Sequence, residues 1–290
     1  MKVIVTFSGG KDSLASLLWV RDRISEDFVT VFCDTGWEHP LTYEYIERIK
    51  EQLNLNLVVL KSRTFDGMAD LVTKKKMFPA IMRRLCTSEL KVKPMIDYIL
   101  DEVADHILVI QGIRAEESRN RAAMENRCTF FKNYFQPYGF DSRGKPKYET
   151  YRKKDVRRFR ERFADDLLRP VFDWTARQVV DYIRDHDVEI NPLYKMGYKR
   201  VGCYPCIMSS QQDIYNVCTQ DAARIAKIAE LERTVGTSFF HPGKIPERFY
   251  EGKSPSIDEV VRYVENKREQ GKLNDDYAQT SCMSYYGLCE

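Results

Sequence analysis

A six-residue stretch near the start of the chain combines the residue types that bind phosphate. Its sequence is SGGKDS, residues 8–13, and it lies between an apolar run at residues 3–7 and a helical pattern of apolar residues. Glycines let a backbone approach an anion closely, and the amides at a helix start point toward it. Lys11 adds a mobile cation, and Ser8 and Ser13 add hydroxyl donors. This stretch, which we call the phosphate loop, is therefore predicted to bind phosphate. The alternative is a turn that merely joins a strand to a helix.

A second pattern capable of chemistry is Cys203-Tyr204-Pro205-Cys206. Two residues between the sulfurs allow both thiolates to hold one metal centre. The same spacing also occurs in thioredoxin-like redox pairs, so both interpretations stay open. The chain has eight cysteines, and no secretory context accompanies them, which favours metal or redox chemistry over a disulfide framework.

The elements that must position these residues alternate between strand and helix. Apolar and β-branched runs predict strands, and helical spacing predicts the helices between them. The predicted strands are residues 2–7, 28–33, 55–60 and 107–110, and the predicted helices are 12–25, 41–53 and 95–104. This alternation predicts an α/β fold with a doubly wound parallel sheet, followed by a mostly helical C-terminal region. Ligands of such sheets bind at the carboxyl ends of the strands, so the phosphate loop and Asp34-Thr35-Gly36 are expected to line one crevice.

The phosphate loop is not a Walker loop, which has four residues between its first glycine and its Gly-Lys pair. It resembles the pyrophosphate loop of ATP pyrophosphatases, which split ATP between the α and β phosphates or bind a related sulfonucleotide. The resemblance implies that the loop holds the phosphates of such a nucleotide through Ser8, Gly9, Gly10, Lys11, Asp12 and Ser13. It also implies catalytic roles for Lys11 and Asp12, with Asp12 helping to place Mg²⁺.

Further motifs follow in a consistent order. They are Asp34-Thr35-Gly36, Arg83-Arg84-Leu85-Cys86-Thr87 with Lys91 shortly after, Gly112-Ile113-Arg114, and the stretch from Trp174 to Cys206. With the phosphate loop they resemble the phosphoadenosine phosphosulfate (PAPS) reductase family over roughly residues 1–210. The resemblance implies an adenine nucleotide α-hydrolase-like core. It also implies that further residues bind ATP, PAPS or adenosine 5′-phosphosulfate (APS), namely Asp34, Thr35, Gly36, Arg83, Lys91, Gly112 and the catalytic Arg114.

Each of these motifs also has a plainer interpretation. Asp34-Thr35-Gly36 is rich in turn-forming residues, a lone cysteine such as Cys86 is commonly a small buried hydrophobe, and the segment after Gly112 is a charged helix start. The common order of the motifs favours the family resemblance.

The resemblance also implies a metal site. It makes Cys86 the third ligand beside Cys203 and Cys206, and a fourth must come from Cys128, Cys218, Cys282 or Cys289, of which we predict Cys289. Four thiolates suit a [4Fe–4S] cluster, which the family favours, or zinc.

Two departures from the family pattern concern its reaction. Cluster-bearing members usually have a cysteine pair where this chain has Cys86 alone, and the chain lacks the Glu-Cys-Gly motif of assimilatory reductases. The chain therefore looks closer to the branch used in DNA phosphorothioation or RNA thiolation.

Residues 143–162 form a strongly basic segment, with ten Lys or Arg against three carboxylates. Aromatic residues are interleaved with them, as in proteins that stack single-stranded nucleic acid and bind its phosphates. The alternative is a solvated basic helix at 152–163 that turns Val156, Phe159 and Phe163 inward. The sequence does not separate the two.

The chain has 290 residues, of which 43% are hydrophobic and 31% charged, as in an ordinary globular protein. No apolar run reaches the length of a membrane span, and the first strand begins at once, so we expect a cytoplasmic protein with no membrane partner. Three parts are predicted: a nucleotide-binding core at 1–118, a basic, aromatic-rich insertion at 119–168 and a helical, cysteine-bearing region at 169–290.

The favoured function is an ATP pyrophosphatase that adenylylates a substrate for sulfur transfer, with nucleic acid as a candidate acceptor and a sulfur or electron donor protein as a further partner. Alternatives are a PAPS or APS reductase, and a nucleotide-binding accessory protein of a defence or mobile-element system without turnover.

Overall fold

The computed structural model describes residues 1–81 and 83–273. A six-stranded sheet with the order β3-β2-β1-β4-β8-β5 forms its centre. All neighbouring strands are parallel except β5, which pairs antiparallel with β8 at one edge. A separate two-stranded hairpin consists of β6 and β7. The strands are β1 (Lys2–Thr6), β2 (Val29–Cys33), β3 (Asn56–Leu60), β4 (Ile107–Ile110), β5 (Arg127–Thr129), β6 (Gly139–Phe140), β7 (Pro146–Lys147) and β8 (Asp165–Leu168).

Helices connect the strands and make up most of the C-terminal part. They are α1 (Lys11–Arg23), α2 (Pro40–Gln52), α3 (Met68–Lys75), α4 (Leu85–Thr87), α5 (Lys93–Glu102), α6 (Arg119–Ala122), α7 (Lys153–Arg160), α8 (Ala176–Asp185), α9 (Pro192–Lys195), α10 (Gln211–Gln220), α11 (Ala222–Val235) and α12 (Ile257–Glu269). A π-helical turn, Ser88–Val92, leads directly into α5. Among the described residues no helix is both long and apolar enough to cross a membrane.

Apolar clusters cover both faces of the sheet. Helices α1, α2 and α8 contribute residues such as Leu17, Ile46 and Ile183 to one cluster. Helices α5 and α7 contribute residues such as Ile96 and Phe159 to the other. A third cluster joins α3 to helices α10–α12 beyond the sheet. The predicted α/β fold with a doubly wound, mostly parallel sheet and a helical C-terminal region is therefore confirmed.

Two strands of the sheet were not predicted from the sequence. Strand β8 has the sequence DDLL, and two aspartates in four residues argue against a buried strand. The structure accommodates Asp165 because its carboxylate accepts a hydrogen bond from the Phe131 amide at 2.8 Å and pairs with Arg160 at 2.8 Å. Strand β5 has only three residues and gives no periodic signal.

Candidate functional site

The phosphate loop lies at the point where the strand order of the sheet reverses. Strand β1 has β2 on one side and β4 on the other, so the loop after β1 and the loop after β4 meet at their carboxyl ends. Gly112, just after β4, makes this approach close, because a Cβ there would stand 2.4 Å from the Ser13 amide nitrogen. Gly112, a predicted nucleotide-binding residue, is therefore in backbone contact with the phosphate loop.

Glycine and serine fix the path of the phosphate loop. Gly9 has φ +81°, in the left-handed region that favours glycine, and a Cβ there would lie 2.9 Å from the Thr42 side chain. The Ser13 hydroxyl donates to the Gly10 carbonyl at 2.9 Å and accepts from the Ser8 amide at 3.3 Å. Gly10 precedes α1 and has no side chain with which to cap it. The first amides of α1 thus have the arrangement that binds anions at helix starts.

Asp12 and Arg114 form a buried ion pair behind this loop. The Arg114 Nε atom donates to Asp12 Oδ1 at 2.7 Å, and the residues are 4% and 0% exposed. Burial alone would lower the pKa of Arg114, but Asp12 and Glu116 raise it, so the guanidinium stays charged. A buried pair of this kind holds its two segments in fixed register, here the start of α1 and the loop after β4.

Two residues that the sequence analysis did not single out contact the phosphate loop. The Tyr194 hydroxyl accepts from the Lys11 amide at 3.2 Å, and the Lys11 ammonium lies 4.9 Å from the centre of the Tyr194 ring. The Asn191 side chain is fully buried and donates to the Gly9 carbonyl at 3.3 Å. Both belong to the Asn-Pro-Leu-Tyr stretch that carries part of the family resemblance, which was the one available signal.

In the Asp34-Thr35-Gly36 turn, Thr35 is buried and stabilises the turn, whereas Asp34 is partly exposed. Thr35 is 1% exposed, and its hydroxyl donates to Glu38 at 2.7 Å, so its side chain stabilises the turn. Asp34 accepts from the Gly36 amide and the Tyr43 hydroxyl, each at 2.8 Å. Burial alone would raise the pKa of Asp34, but these hydrogen bonds and Lys61 lower it, so the carboxylate is ionised at neutral pH.

Asp34 and Gly36 line a cleft of about 310 Å³ at the carboxyl ends of β2 and β3. Basic side chains of Lys61, Arg63 and Lys74 line the same cleft, and the phosphate loop is not part of its wall. Asp34 and Gly36 therefore lie at the carboxyl edge of the sheet, as expected. The cleft that they line is on the β3 side of the phosphate loop and is not shared with that loop.

The segment after this turn is joined to the Cys-x-x-Cys loop. Glu38 and Cys203 form an antiparallel bridge, and the Tyr204 amide donates to the Trp37 carbonyl at 2.7 Å. The Trp37 indole in turn donates to the Pro205 carbonyl at 3.1 Å. These bonds hold the cysteine loop at the carboxyl end of β2, although about 165 residues separate the two segments in sequence.

Three of the four predicted metal ligands face one space. A single cavity, which we call the cysteine cavity, is lined by Cys86, Cys203 and Cys206. The basic side chains of Arg84, Lys91 and Arg200 line it too. Lys91 lies on the π-helical turn and is 4% exposed. Among the described residues no carboxylate or imidazole lines this cavity, and a wall of thiols and cations suits a soft, anionic centre.

Other predicted residues lie elsewhere. Arg83 is exposed and forms a bridge with Ala80, and its neighbour Arg84 lines the cavity instead. Cys128 lies on β5, and Cys218 lies on α10, where burial raises the pKa of its thiol to about 11. Cys282 and the predicted ligand Cys289 fall outside the described residues. Within 1–81 and 83–273, no group of three or more His, Cys, Asp or Glu residues is arranged to hold a metal ion, so Cys86, Cys203 and Cys206 share a cavity without forming a metal-binding group in this structure.

Comparisons with known proteins show the family of this chain. Residues 2–209 match the phosphoadenosine phosphosulfate reductase domain family. An uncharacterized 37.8 kDa protein of Escherichia phage 186 is 29% identical, over 99% of this chain and 96% of its own. Adenosine 5′-phosphosulfate reductase from Staphylococcus saprophyticus is 28% identical over 70% of each chain. The chain spans 56% of the length of a further relative, an uncharacterized protein from Methanocaldococcus jannaschii.

Among solved structures, PAPS reductase from Candida auris aligns with a TM-score of 0.45 at 18% identity, over 71% of this chain and 82% of its own. The family match covers more than two thirds of the sequence and includes the phosphate loop, Arg114 and the Cys-x-x-Cys loop. The chain is a member of the phosphoadenosine phosphosulfate reductase domain family.

Proposed function

We propose that this protein is an enzyme that binds ATP on the phosphate loop and adenylylates an acceptor for sulfur transfer. The observation that carries the proposal is the start of α1, where Gly10 offers no side-chain cap and Lys11 stands at the switch point of the sheet, beside the buried Asp12–Arg114 pair. A triphosphate placed there meets amide donors at its terminal phosphates. Nucleic acid is our candidate acceptor.

The residues of the chain have separate tasks in this reaction. The amides of Gly9 and Gly10, with the Lys11 ammonium, hold the β and γ phosphates, and Mg²⁺ neutralises part of their charge. The acceptor attacks the α phosphorus, the bond from that phosphorus to the bridging oxygen breaks, and the electron pair leaves with pyrophosphate. We propose that Asp12, whose Oδ1 is engaged by Arg114, positions the guanidinium toward the phosphates. Its role in placing Mg²⁺ stays a prediction.

The cysteine cavity suits a metal centre held by thiolates. We propose that Cys86, Cys203 and Cys206 hold it, with Cys289 as the predicted fourth ligand, and that Arg84, Lys91 and Arg200 balance its negative charge. A [4Fe–4S] cluster bound there would supply electrons or sulfur beside the nucleotide, and zinc is the alternative. The bridge between Glu38 and Cys203 supports this placement, because it attaches the cysteine loop to the nucleotide-binding edge of the sheet.

A second candidate function is the reduction of a sulfonucleotide to sulfite. It is favoured by the similarity to staphylococcal adenosine 5′-phosphosulfate reductase, which covers 70% of the chain. A third candidate is a nucleotide-binding accessory protein without turnover.

Product analysis separates these functions. Anaerobically purified protein is incubated with Mg-ATP and a single-stranded oligonucleotide, and in parallel with adenosine 5′-phosphosulfate, PAPS and a dithiol reductant. Pyrophosphate from ATP together with an adenylylated oligonucleotide supports the proposal, whereas sulfite from either sulfonucleotide selects the reductase. Nucleotide binding without any product selects the accessory protein. Lys11→Ala serves as the control for a contaminating activity.

A further inference from the structure

The hairpin of β6 and β7 exposes an unusual number of aromatic rings. The described residues include nine exposed large hydrophobic side chains, and four of them, all aromatic, lie between Phe135 and Tyr148. Tyr138 is 55% exposed and Phe140 is 65% exposed. Clustered exposed apolar groups on a globular protein indicate a binding surface.

The register of the hairpin fixes which residues of its two short strands share a face. Gly139 pairs with Lys147, and Phe140 pairs with Pro146. Because residues that pair across two strands share a face, Phe140 and Pro146 lie on one face, and the exposed rings of Tyr138 and Tyr148 flank this pair at the open end of the hairpin. These four residues are named the aromatic face here. Lys147 and Lys145 belong to the opposite face.

The turn that closes the hairpin leaves its cations facing solvent. The Asp141 carboxylate accepts from the amides of Arg143 and Lys145 at 2.8 and 2.9 Å, so it is used within the turn. Arg143, Lys145 and Lys147 are exposed, and no carboxylate of the described residues forms an ion pair with them. By contrast, Arg152 and Arg160 are engaged by Asp97, Asp101 and Asp165. Within the basic segment, Arg152 and Arg160 are therefore structural cations, whereas the three cations of the hairpin are exposed to solvent.

From this arrangement we propose that the hairpin binds single-stranded nucleic acid, with bases stacked on the aromatic face and phosphates at Arg143, Lys145 and Lys147. Exposed rings flanked by cations are the combination that single strands require, because every unpaired base offers a π-face and every linkage a negative charge. A duplex hides its base faces, and an acidic protein surface would use the cations but leave the rings without partners.

The base of the hairpin is tied to the helix that begins beside the cysteine cavity. The Tyr151 hydroxyl donates to Asp97 at 3.0 Å, and Arg152 bonds Asp97 and Asp101 at 2.8 and 2.7 Å. Both carboxylates belong to α5, which directly follows the turn that carries Lys91. Binding of the strand at the hairpin needs no ATP. Only the role of the bound strand as the acceptor of the adenylyl group rests on the proposed function.

The test is fluorescence anisotropy with a labelled oligothymidylate of about twenty nucleotides, without ATP. We expect binding that weakens steeply between about 50 and 200 mM salt. Tyr138→Ala with Phe140→Ala should lower the affinity at least ~10-fold, while Tyr138→Phe retains it. Arg143→Glu with Lys145→Glu should weaken binding and reduce the salt slope by about two. The matched control is Arg177→Glu with Arg184→Glu on α8, which should leave binding unchanged.

The proposal is overturned by any of four results. These are no oligothymidylate binding, unchanged affinity in the double alanine variant, equally tight binding of a duplex of the same length, or binding to anionic phosphatidylserine vesicles in place of the oligonucleotide. Thermal unfolding of each variant checks that the fold is intact. Calorimetry with Mg-ATP on the same variants should give the wild-type affinity, so failure at the hairpin is distinguishable from failure at the phosphate loop.

Discussion

The phosphate loop and the cysteine cavity lie at the same edge of the sheet but are built in opposite ways. The phosphate loop is one contiguous stretch whose path is set by hydrogen bonds within it, such as that from Ser13 to Gly10, and distant residues then contact it. The cysteine cavity is assembled from segments more than a hundred residues apart, around Cys86 and Cys203. Local geometry therefore specifies the first, whereas the second depends on the backbone bridge between Glu38 and Cys203.

The largest expected effect tests whether the cysteines of the cavity act as one unit. Cys203→Ser should remove bound metal from anaerobically purified protein and abolish absorbance near ~400 nm if a cluster is held there. Cys218→Ser is the matched control, because Cys218 lies on α10 outside the cavity wall. Iron and zinc analysis with the absorption spectrum is the measurement. Wild-type protein that contains neither metal would refute the shared centre.

The next effect concerns the buried pair behind the phosphate loop. Arg114→Met removes the cation that lies 2.7 Å from the buried Asp12 carboxylate and leaves Lys11, whose ammonium is 3.7 Å away. We expect a loss of about 3 kcal/mol in the free energy of unfolding. Arg177→Met is the control, because Arg177 is 91% exposed and its pair with Asp181 should contribute less than about 0.5 kcal/mol. Urea denaturation measures both. Equal losses would mean that the pair does not fix the loop.

A smaller effect is expected from Gly112→Ala. The new Cβ would stand 2.4 Å from the Ser13 amide nitrogen, so α1 and the β4 loop must separate, at a cost of about 1–3 kcal/mol in stability and a loss of nucleotide affinity. Gly139→Ala is the control, since no atom lies within 4 Å of the added carbon. Thermal unfolding and calorimetry on both variants provide the comparison. Wild-type affinity in Gly112→Ala would show that the close approach is unimportant.

These sites also show what the sequence could and could not predict. The phosphate loop and the Asp34 turn were predictable because each is contiguous and follows an apolar strand. Tyr194 and Asn191 were missed, because their contacts with Lys11 and Gly9 depend on packing across about 180 residues. The aromatic face was missed because alternation becomes visible only once the register of the hairpin is known.

The cysteine cavity was predictable only through family resemblance. Spacing alone predicted Cys203 and Cys206 as a chelating pair or a redox pair and left any third ligand open. In the basic segment, Val156 and Phe159 are buried as the helical pattern predicted, and the exposed rings lie on the preceding hairpin. The domain boundaries at 118 and 168 stay a prediction, although β8 adds residues 165–168 to the central sheet.

The smallest expected effect is at the far end of α1, where His186 bonds Asp22 at 2.9 Å and the Tyr182 carbonyl at 2.8 Å. Burial alone would lower the pKa of His186, but these two partners raise it. The protonated ring therefore stabilises the fold below about pH 6.5, and this contribution is lost as the pH rises through the raised pKa. His186→Gln should cost less than about 1 kcal/mol near pH 5.5 and almost nothing near pH 8.5 in urea denaturation. A cost that increases with pH would contradict this sign.

The most direct test of the central claim is the nucleotide affinity of Lys11→Ala, measured by calorimetry with Mg-ATP, adenosine 5′-phosphosulfate and PAPS. Removing a charged phosphate contact should weaken binding of the preferred nucleotide by ~1.5–3 kcal/mol, roughly 10- to 100-fold. Lys50→Ala, at the exposed end of α2, should bind as the wild type does. Unchanged affinity in Lys11→Ala, or a wild-type protein that binds none of the three nucleotides, would contradict the assignment of the phosphate loop.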